Sequence, residues 1–450
     1  MKPGSTIGNF DSDKVYVGSI VSDAEGRVKC LPQRIKSLMP SPEPKPSGSG
    51  GWLYRVLEPY YSRQCVDDVT TAMLDGMISS GAVWPRRMAD EICKLYNVPV
   101  ALPTSSGASA LHVALLACDL GSSDHVLVPA LTMVAVANMV KLVGGKPIYC
   151  DCAPGSVNPS KAELLAKATP KTKAVIVCHT YGVACRDIQE IADMCKEKGW
   201  WLIEDICESM GTRAGNGDLV GTFGDFSCAS LYANKPITAG DGGWVHAKNS
   251  KHSDRLKSLI NHGFDPAYHF LHFETAPNAK MNGLGCAFVC SQIPDLPQQM
   301  KRRGQVAAWY RAKLAGVRGI ECIEKGVVDA PWVFGVQTAD RKSRDSLREH
   351  LAAEGIETRN YFYPLHVEPV NFFEGEGVYD IVLPTAEALA QTGFYFPTHS
   401  FLEEGDVDFI ASCVKSFFNA SVKPACPRTK GWCDRERSRL LGSTKRPREL

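Results

Sequence analysis

Short apolar runs alternating with segments of helical period fill residues 107–247, and this alternation constrains the fold more than any other feature of the chain. Residues 107–119 carry apolar positions at helical spacing behind a serine-rich turn. Val126-Leu127-Val128-Pro129 then reads as a strand, 133–143 as a helix and Pro147-Ile148-Tyr149-Cys150 as a strand. The series continues with a helix at 161–168, a strand at 174–178, a helix at 188–198 and a strand at 200–204. Strands that alternate with ten-residue helices predict an α/β fold with a mostly parallel, helix-covered sheet. Residues 226–231 and 243–247 supply two more strands.

Beyond residue 295 the pattern changes. A long helix at 296–314, a strand at 332–336 and a helix at 343–354 predict a second, smaller α+β domain. The boundaries read as a large domain over 52–295 and a small one over 296–420. Residues 1–51 read as a flexible extension and linker, because Met39-Pro40-Ser41-Pro42-Glu43-Pro44-Lys45-Pro46-Ser47-Gly48-Ser49-Gly50-Gly51 lacks the apolar area to order itself. Residues 421–450, with Arg435, Arg437, Arg439, Lys445, Arg446 and Arg448, read as a solvated basic tail.

Fifty Lys and Arg against 49 Asp and Glu leave almost no net charge, which argues against nucleic acid or a membrane surface as partner. No run of eighteen apolar residues predicts a transmembrane helix. Asp11, Asp13, Asp23 and Glu25 do not suit a secretory signal. The 17 cysteines are scattered through apolar runs with no Cys-x-x-Cys pair, so reduced buried thiols, and with them a cytoplasmic location, are expected rather than disulfides or a metal site.

The chemistry centres on Lys235, in Ser230-Leu231-Tyr232-Ala233-Asn234-Lys235-Pro236-Ile237-Thr238-Ala239-Gly240-Asp241-Gly242-Gly243. A lysine held between a strand and a glycine cluster suits a Schiff-base nucleophile, whose amine must be desolvated against a carbonyl. By itself it could equally be a surface lysine in a glycine-rich hairpin. Upstream, Trp201-Leu202-Ile203-Glu204-Asp205 reads as a buried strand ending in a carboxylate, and Ser105-Ser106-Gly107-Ala108-Ser109 as a small-residue turn opening a helix. Asp205 alone could be a helix cap, and the serines an ordinary N-cap. Together, however, lysine, acid and phosphate-sized cradle are the parts a pyridoxal 5'-phosphate (PLP) site needs.

Six motifs follow in order: Thr104 to His112, Val128-Pro129-Ala130-Leu131-Thr132, His179-Thr180-Tyr181-Gly182, Ile203 to Ser209, Val220-Gly221-Thr222-Phe223-Gly224-Asp225, and Ser230 to Gly243. In this the chain resembles the DegT/DnrJ/EryC1/StrS sugar aminotransferases, with the loop at 234–243 most similar to the perosamine synthase branch. The resemblance runs from about Leu57 to about Phe418 and leaves both tails uncovered. It implies the PLP-dependent aspartate-aminotransferase fold, with a seven-stranded sheet in the large domain. It also implies a homodimer with shared active sites, and amination of a nucleotide-linked 4-keto-6-deoxy sugar by L-glutamate, which leaves as 2-oxoglutarate.

The resemblance assigns Lys235 to the cofactor aldehyde and Asp205 to the pyridine nitrogen. It places Glu208 against the phenolic oxygen and Ser106, Gly107, Ala108 and Ser230 at the phosphate. Asn278 would reach the neighbouring subunit's phosphate, while Arg359, His366 and His262 would face the sugar nucleotide. Three positions depart from the family pattern: Met133 replaces an aromatic that stacks on the ring, Ala279 an aromatic and Lys280 an arginine, whose planar fork lysine cannot reproduce. A keto-cyclitol or 3-keto sugar acceptor and a catalytically inactive scaffold remain open. A sugar 3-dehydratase on this scaffold would carry histidine where Lys235 stands.

Overall fold

Eleven strands form two sheets in the computed structural model, which describes residues 28–46, 51–265, 267–268, 270–322, 330–375 and 377–419. The first sheet contains β1 (Val100–Thr104), β2 (His125–Pro129), β3 (Lys146–Cys150), β4 (Thr172–Cys178), β5 (Trp201–Asp205), β6 (Phe226–Ser230) and β7 (Gly243–Ala247). Their spatial order is β1-β7-β6-β5-β4-β2-β3. Strands β3, β2, β4, β5 and β6 run parallel, and β7 is antiparallel to both β6 and β1. This is the mostly parallel seven-stranded sheet of the expected fold class.

Burial explains the apolar runs. From Ala174 to Cys178 every residue of β4 is buried. Successive side chains of a strand point to opposite faces. Accordingly Ala174, Ile176 and Cys178 enter one core with the helix Gly107–Ala117, while Val175 and Val177 enter another with the helix Ile188–Lys198. A sheet covered on both faces has no polar face to alternate with, so its strands read as continuous apolar runs.

The second sheet is antiparallel, in the order β10-β11-β9-β8, from β8 (Ile320–Cys322), β9 (Phe334–Thr338), β10 (Arg359–Asn360) and β11 (Gly393–Phe396). The helices Leu296–Leu314, Arg341–Ala353 and Glu404–Phe418 share its core. Two features of the amino-terminal part differ from expectation. The Tyr54 ring lies in this second core, stacked on Phe409, and Glu357 N–H donates to the Tyr54 carbonyl at 2.8 Å. Residues just after 52 therefore pack with the second sheet.

The expected linker is also ordered in part. Residues 33–38 form a helix whose Ile35 is fully buried. Arg34 donates to the carbonyls of Tyr379 and Ile381 and to Glu387. Arg341 grips the Ser41 hydroxyl, and Arg348 binds Glu43. The prolines and serines offer little apolar area, but arginines far along the chain supply the donors that fix them. Residues 1–27 and the basic tail at 421–450 lie outside the described residues.

Candidate active site

Sheet topology gathers the predicted residues at one edge. Because β7 is antiparallel to both neighbours, β1 runs parallel to β6. The carboxyl ends of β1, β4, β5 and β6 therefore share the edge where open α/β sheets bind ligands. That edge carries Thr104, Cys178, Asp205 and Ser230.

The cradle follows from β1. Ser106 caps the helix Gly107–Ala117, its Oγ accepting the Ser109 N–H at 3.0 Å. The first N–H groups of a helix have no intrahelical acceptor, so those of Gly107 and Ala108 are available to an anion. The helix start presses against the strand ends: a Cβ on Gly107 would lie 2.8 Å from Ser230 Cβ and 2.9 Å from Cys207 Sγ. Gly243, level with both Thr104 and Ser230, is equally confined, since a Cβ there would fall 2.7 Å from the Ser106 carbonyl oxygen. Only glycine allows these three segments to close up.

Lys235 lies in a turn beyond β6, its N–H donating to the Tyr232 carbonyl at 2.9 Å, and the residue is only 8% exposed. Its Nζ is 3.9 Å from Glu208 Oε1 and 4.0 Å from the centre of the Trp332 ring. Asp205 ends β5, and its Oδ1 accepts the Cys207 N–H at 2.9 Å. Glu208 Oε2 accepts the Tyr181 N–H at 2.8 Å. Burial chiefly, helped by Asp205, holds the Glu208 carboxyl above its ordinary range against the opposing pull of Lys235. Burial and Asp205 likewise push the Cys207 thiol well up, so it packs behind Gly107 as a neutral group rather than a nucleophile.

A second buried carboxylate supports the first. Glu204 accepts from the N–H groups of Gly221, Phe223 and Gly224, each at 2.7 Å, and lies 3.0 Å from His179 Nε2. His179 Nδ1 accepts the Cys185 N–H, so Nε2 carries the proton and donates to Glu204. Burial pushes the Glu204 carboxyl up, but His179 and the backbone donors outweigh it and leave it below its ordinary value. This network fixes the loop after β5 on which Glu208 sits.

The remaining predicted residues lie on other segments. Met133 is 53% exposed at the start of the helix after β2. Asn278 is exposed in a segment whose neighbour Ala279 accepts the Ser105 N–H through its carbonyl. Lys280 is tied to Asn261 Oδ1 at 2.5 Å. His262 is exposed, with a left-handed φ of 61°. Arg359 is exposed and paired with Glu357 at 2.9 Å. Burial lowers its pKa, yet that carboxylate prevails and raises it overall. His366 departs most from expectation, being fully buried with Nε2 3.1 Å from Glu387. It sits on a short turn whose Leu365 N–H donates to the Ala130 carbonyl, and its buried Nδ1 has no hydrogen-bond partner among the described residues.

Two residues of the site went unassigned in the sequence. Tyr181 lies in a quoted motif, and its φ of 61° turns its N–H to Glu208 and its carbonyl to Trp332 N–H. Trp332 lies in a predicted strand, where a tryptophan reads as core.

The surroundings of Lys235 fit PLP. They combine a buried amine with no carboxylate at hydrogen-bond distance, a cradle that a Cβ would fill, and a buried Asn234 Oδ1 with no hydrogen-bond partner. Among the described residues no cluster of His, Cys, Asp and Glu could hold a metal ion, and no helix is long and apolar enough to cross a membrane.

Comparison with known proteins agrees with this geometry. The model of the DegT/DnrJ/EryC1/StrS aminotransferase family matches residues 60–415. GDP-perosamine synthase of Vibrio cholerae is 32% identical over 363 residues, covering 80% of this chain and 95% of that protein. The UDP-N-acetyl-3-dehydro-alpha-D-glucosamine 3-aminotransferase of Acidithiobacillus ferrooxidans is 30% identical, covering 73% and 87%. Among solved structures, the aminotransferase TlmJ from Streptoalloteichus hindustanus superposes with a TM-score of 0.75 at 25% identity, covering 82% of this chain and all of that one.

Proposed function

The chain belongs to the DegT/DnrJ/EryC1/StrS aminotransferase family, whose cofactor is PLP, and we propose that it transfers the amino group of L-glutamate to C4 of a nucleotide-linked 4-keto-6-deoxy sugar. One observation carries the reading: a buried lysine amine stands at the strand edge that also bears a carboxylate and an open helix start. Similarity to GDP-perosamine synthases supports a nucleotide-linked sugar acceptor, and similarity to the dTDP-4-dehydro-2,3,6-trideoxy-D-glucose 4-aminotransferase of Saccharopolyspora spinosa supports amination at C4. Similarity to a 3-aminotransferase keeps a 3-keto sugar nucleotide as the second reading.

Bound PLP supplies an electron-accepting ring that acidifies the carbon next to the transferred amino group. Asp205 would hold the proton on the ring nitrogen, and Glu208 would bond the phenolic oxygen. Ser106, Gly107, Ala108 and Ser230 would bind the phosphate, with Met133 against the ring face. Lys235 Nζ anchors the cofactor. Once its amine is free, it holds and moves the proton that the amino donor's α-carbon gives up. Burial excludes water from that amine and strengthens its contact with Glu208.

A homodimer belongs to the proposal, with Asn278 completing the partner's phosphate site and Arg359 and His262 contributing to the sugar-nucleotide side. Exposed apolar residues at Met73, Leu74, Met77 and Ile78, and at Tyr268, Phe270, Leu271 and Phe273, support it. The free thiols of the described cysteines support a cytoplasmic location.

The test is to load the protein with PLP and add L-glutamate. Loss of the visible band of the lysine-bound cofactor, followed by amination of a GDP-, dTDP- or UDP-linked 4-keto-6-deoxyhexose detected by mass, is the expected result. A visible band indifferent to glutamate would refute the donor. Amination of 3-keto sugar nucleotides alone would move the position to C3.

A further inference from the structure

Resting on that reading, we infer that Trp332 is the positioning residue for Lys235, holding the lysine arm from the side of the second sheet. The Trp332 ring centre lies 4.0 Å from Lys235 Nζ, the spacing of a cation–π contact. The indole N–H donates to the carbonyl of Asn234, the residue before the lysine, at 2.9 Å. One side chain thus grips both ends of the lysine: its amine through the ring face and its backbone through the ring nitrogen.

Trp332 is itself fixed on every side. It is 3% exposed, its N–H donates to the Tyr181 carbonyl at 3.0 Å, and its carbonyl accepts from buried Arg303 at 2.9 Å. Gly182 permits the approach, since a Cβ there would lie 2.1 Å from the Trp332 nitrogen. The same Tyr181 donates its N–H to Glu208, so Trp332 and Glu208 are registered to each other on opposite groups of one peptide unit and its neighbour.

Lysine is a flexible four-carbon arm, and holding it costs rotamer entropy. A π face and a carboxylate at about 4 Å give the free amine a defined waiting place without a short ion pair that would bar it from reaction. Capture of PLP would form a bond from the Lys235 nitrogen to the aldehyde carbon, the aldehyde oxygen leaving as water with two protons from the amine. The incoming amino acid would exchange places with the lysine: its nitrogen would bond to that carbon as the Lys235 nitrogen leaves, freeing Lys235 as an amine beside the ring face.

A double-mutant cycle on the full chain tests this, with PLP dissociation constants from equilibrium dialysis and capture rates from the visible band. Trp332→Leu should weaken PLP binding and slow capture about tenfold in the wild-type background. It should change PLP binding less than about twofold in a Lys235→Ala background, where there is no amine to position. Equal losses in both backgrounds would overturn the proposal and leave Trp332 a merely structural residue. Trp332→Phe keeps a ring face and should stay within about threefold of wild type. A loss as large as that of leucine would also overturn it, and this variant carries the test if the leucine protein does not fold. Wild-type protein that retains no PLP would instead refute the functional reading itself.

Discussion

Gly107→Ala is the most exacting probe of the cofactor cradle. The added Cβ would meet Ser230 Cβ at 2.8 Å and Cys207 Sγ at 2.9 Å, with Ser230 Cα at 3.2 Å. Carbon atoms normally approach to about 3.5–4.0 Å, so the deficit is about 0.7 Å or more. Neither neighbour can yield cheaply: Ser230 closes β6, between β5 and β7, and its Cβ is the root of its side chain. The helix Gly107–Ala117 must therefore retreat by roughly the deficit, taking the Gly107 and Ala108 N–H groups with it.

Overpacking of this kind costs about 1–3 kcal/mol of stability. A misplacement approaching 1 Å costs up to about 100-fold where geometry is preorganised. PLP should bind about 10- to 100-fold more weakly, or about 1.4–2.8 kcal/mol, while the melting temperature of the apoprotein falls by only about 2–10 °C. Titration of apoprotein with PLP, followed by the visible band, and a thermal melt of the same sample measure both. Binding within about threefold of wild type would refute the assignment of this helix start to the phosphate. Equal loss of folding and binding would refute its local character.

Other substitutions separate support from chemistry. Glu204→Ala strips the acceptor from three backbone N–H groups and His179; at about 1–3 kcal/mol per unsatisfied donor, urea unfolding should show a loss of at least about 4 kcal/mol, and a loss below about 1.5 kcal/mol would contradict the network. Because the folded Glu204 pKa is below its ordinary 4.5, its contribution is present above that value and vanishes as pH falls through the folded value. Glu208→Gln keeps a group that can donate to the phenolic oxygen and should retain most turnover, whereas Glu208→Ala should lose about tenfold or more; equal rates would remove Glu208 from the site. Burial alone raises Glu368 from 4.5 to about 7, so the folded state favours its proton and stability falls as pH rises across that window. Glu368→Gln should raise the melting temperature at pH near 8, gaining at most about 3 kcal/mol, and change little near pH 4.5; the opposite dependence would refute it.

The parts legible in the sequence are those whose signal is local. β4 reads as a strand because every residue from Ala174 to Cys178 is buried. Gly107 and Gly243 stand out because close packing admits nothing larger. Short or mixed elements left no such signal: β10 has two residues and β8 three, and β1 hides in Val100-Ala101-Leu102-Pro103-Thr104, where a proline breaks the run. The linker composition at 39–51 correctly marks poor apolar content, but it is silent about Arg341, Arg344 and Arg348, whose donors order Ser41 and Glu43 from 300 residues away.

The same distinction explains the fate of the charged candidates. A local motif can mark a residue without showing which way it faces. His366 follows Tyr363-Pro364-Leu365 as the resemblance requires, yet Glu387, held also by Arg34, turns it into the interior. Trp332 shows the converse, since its neighbours along the chain suggest only core, while its ring meets an amine 97 residues away in sequence. Tyr181 joins the two cases. Its left-handed backbone points one polar group at Glu208 on the loop after β5 of the first sheet and another at Trp332 on the approach to β9. The orientation of the lysine therefore depends on how the two sheets dock, a property of the folded chain that no single motif contains.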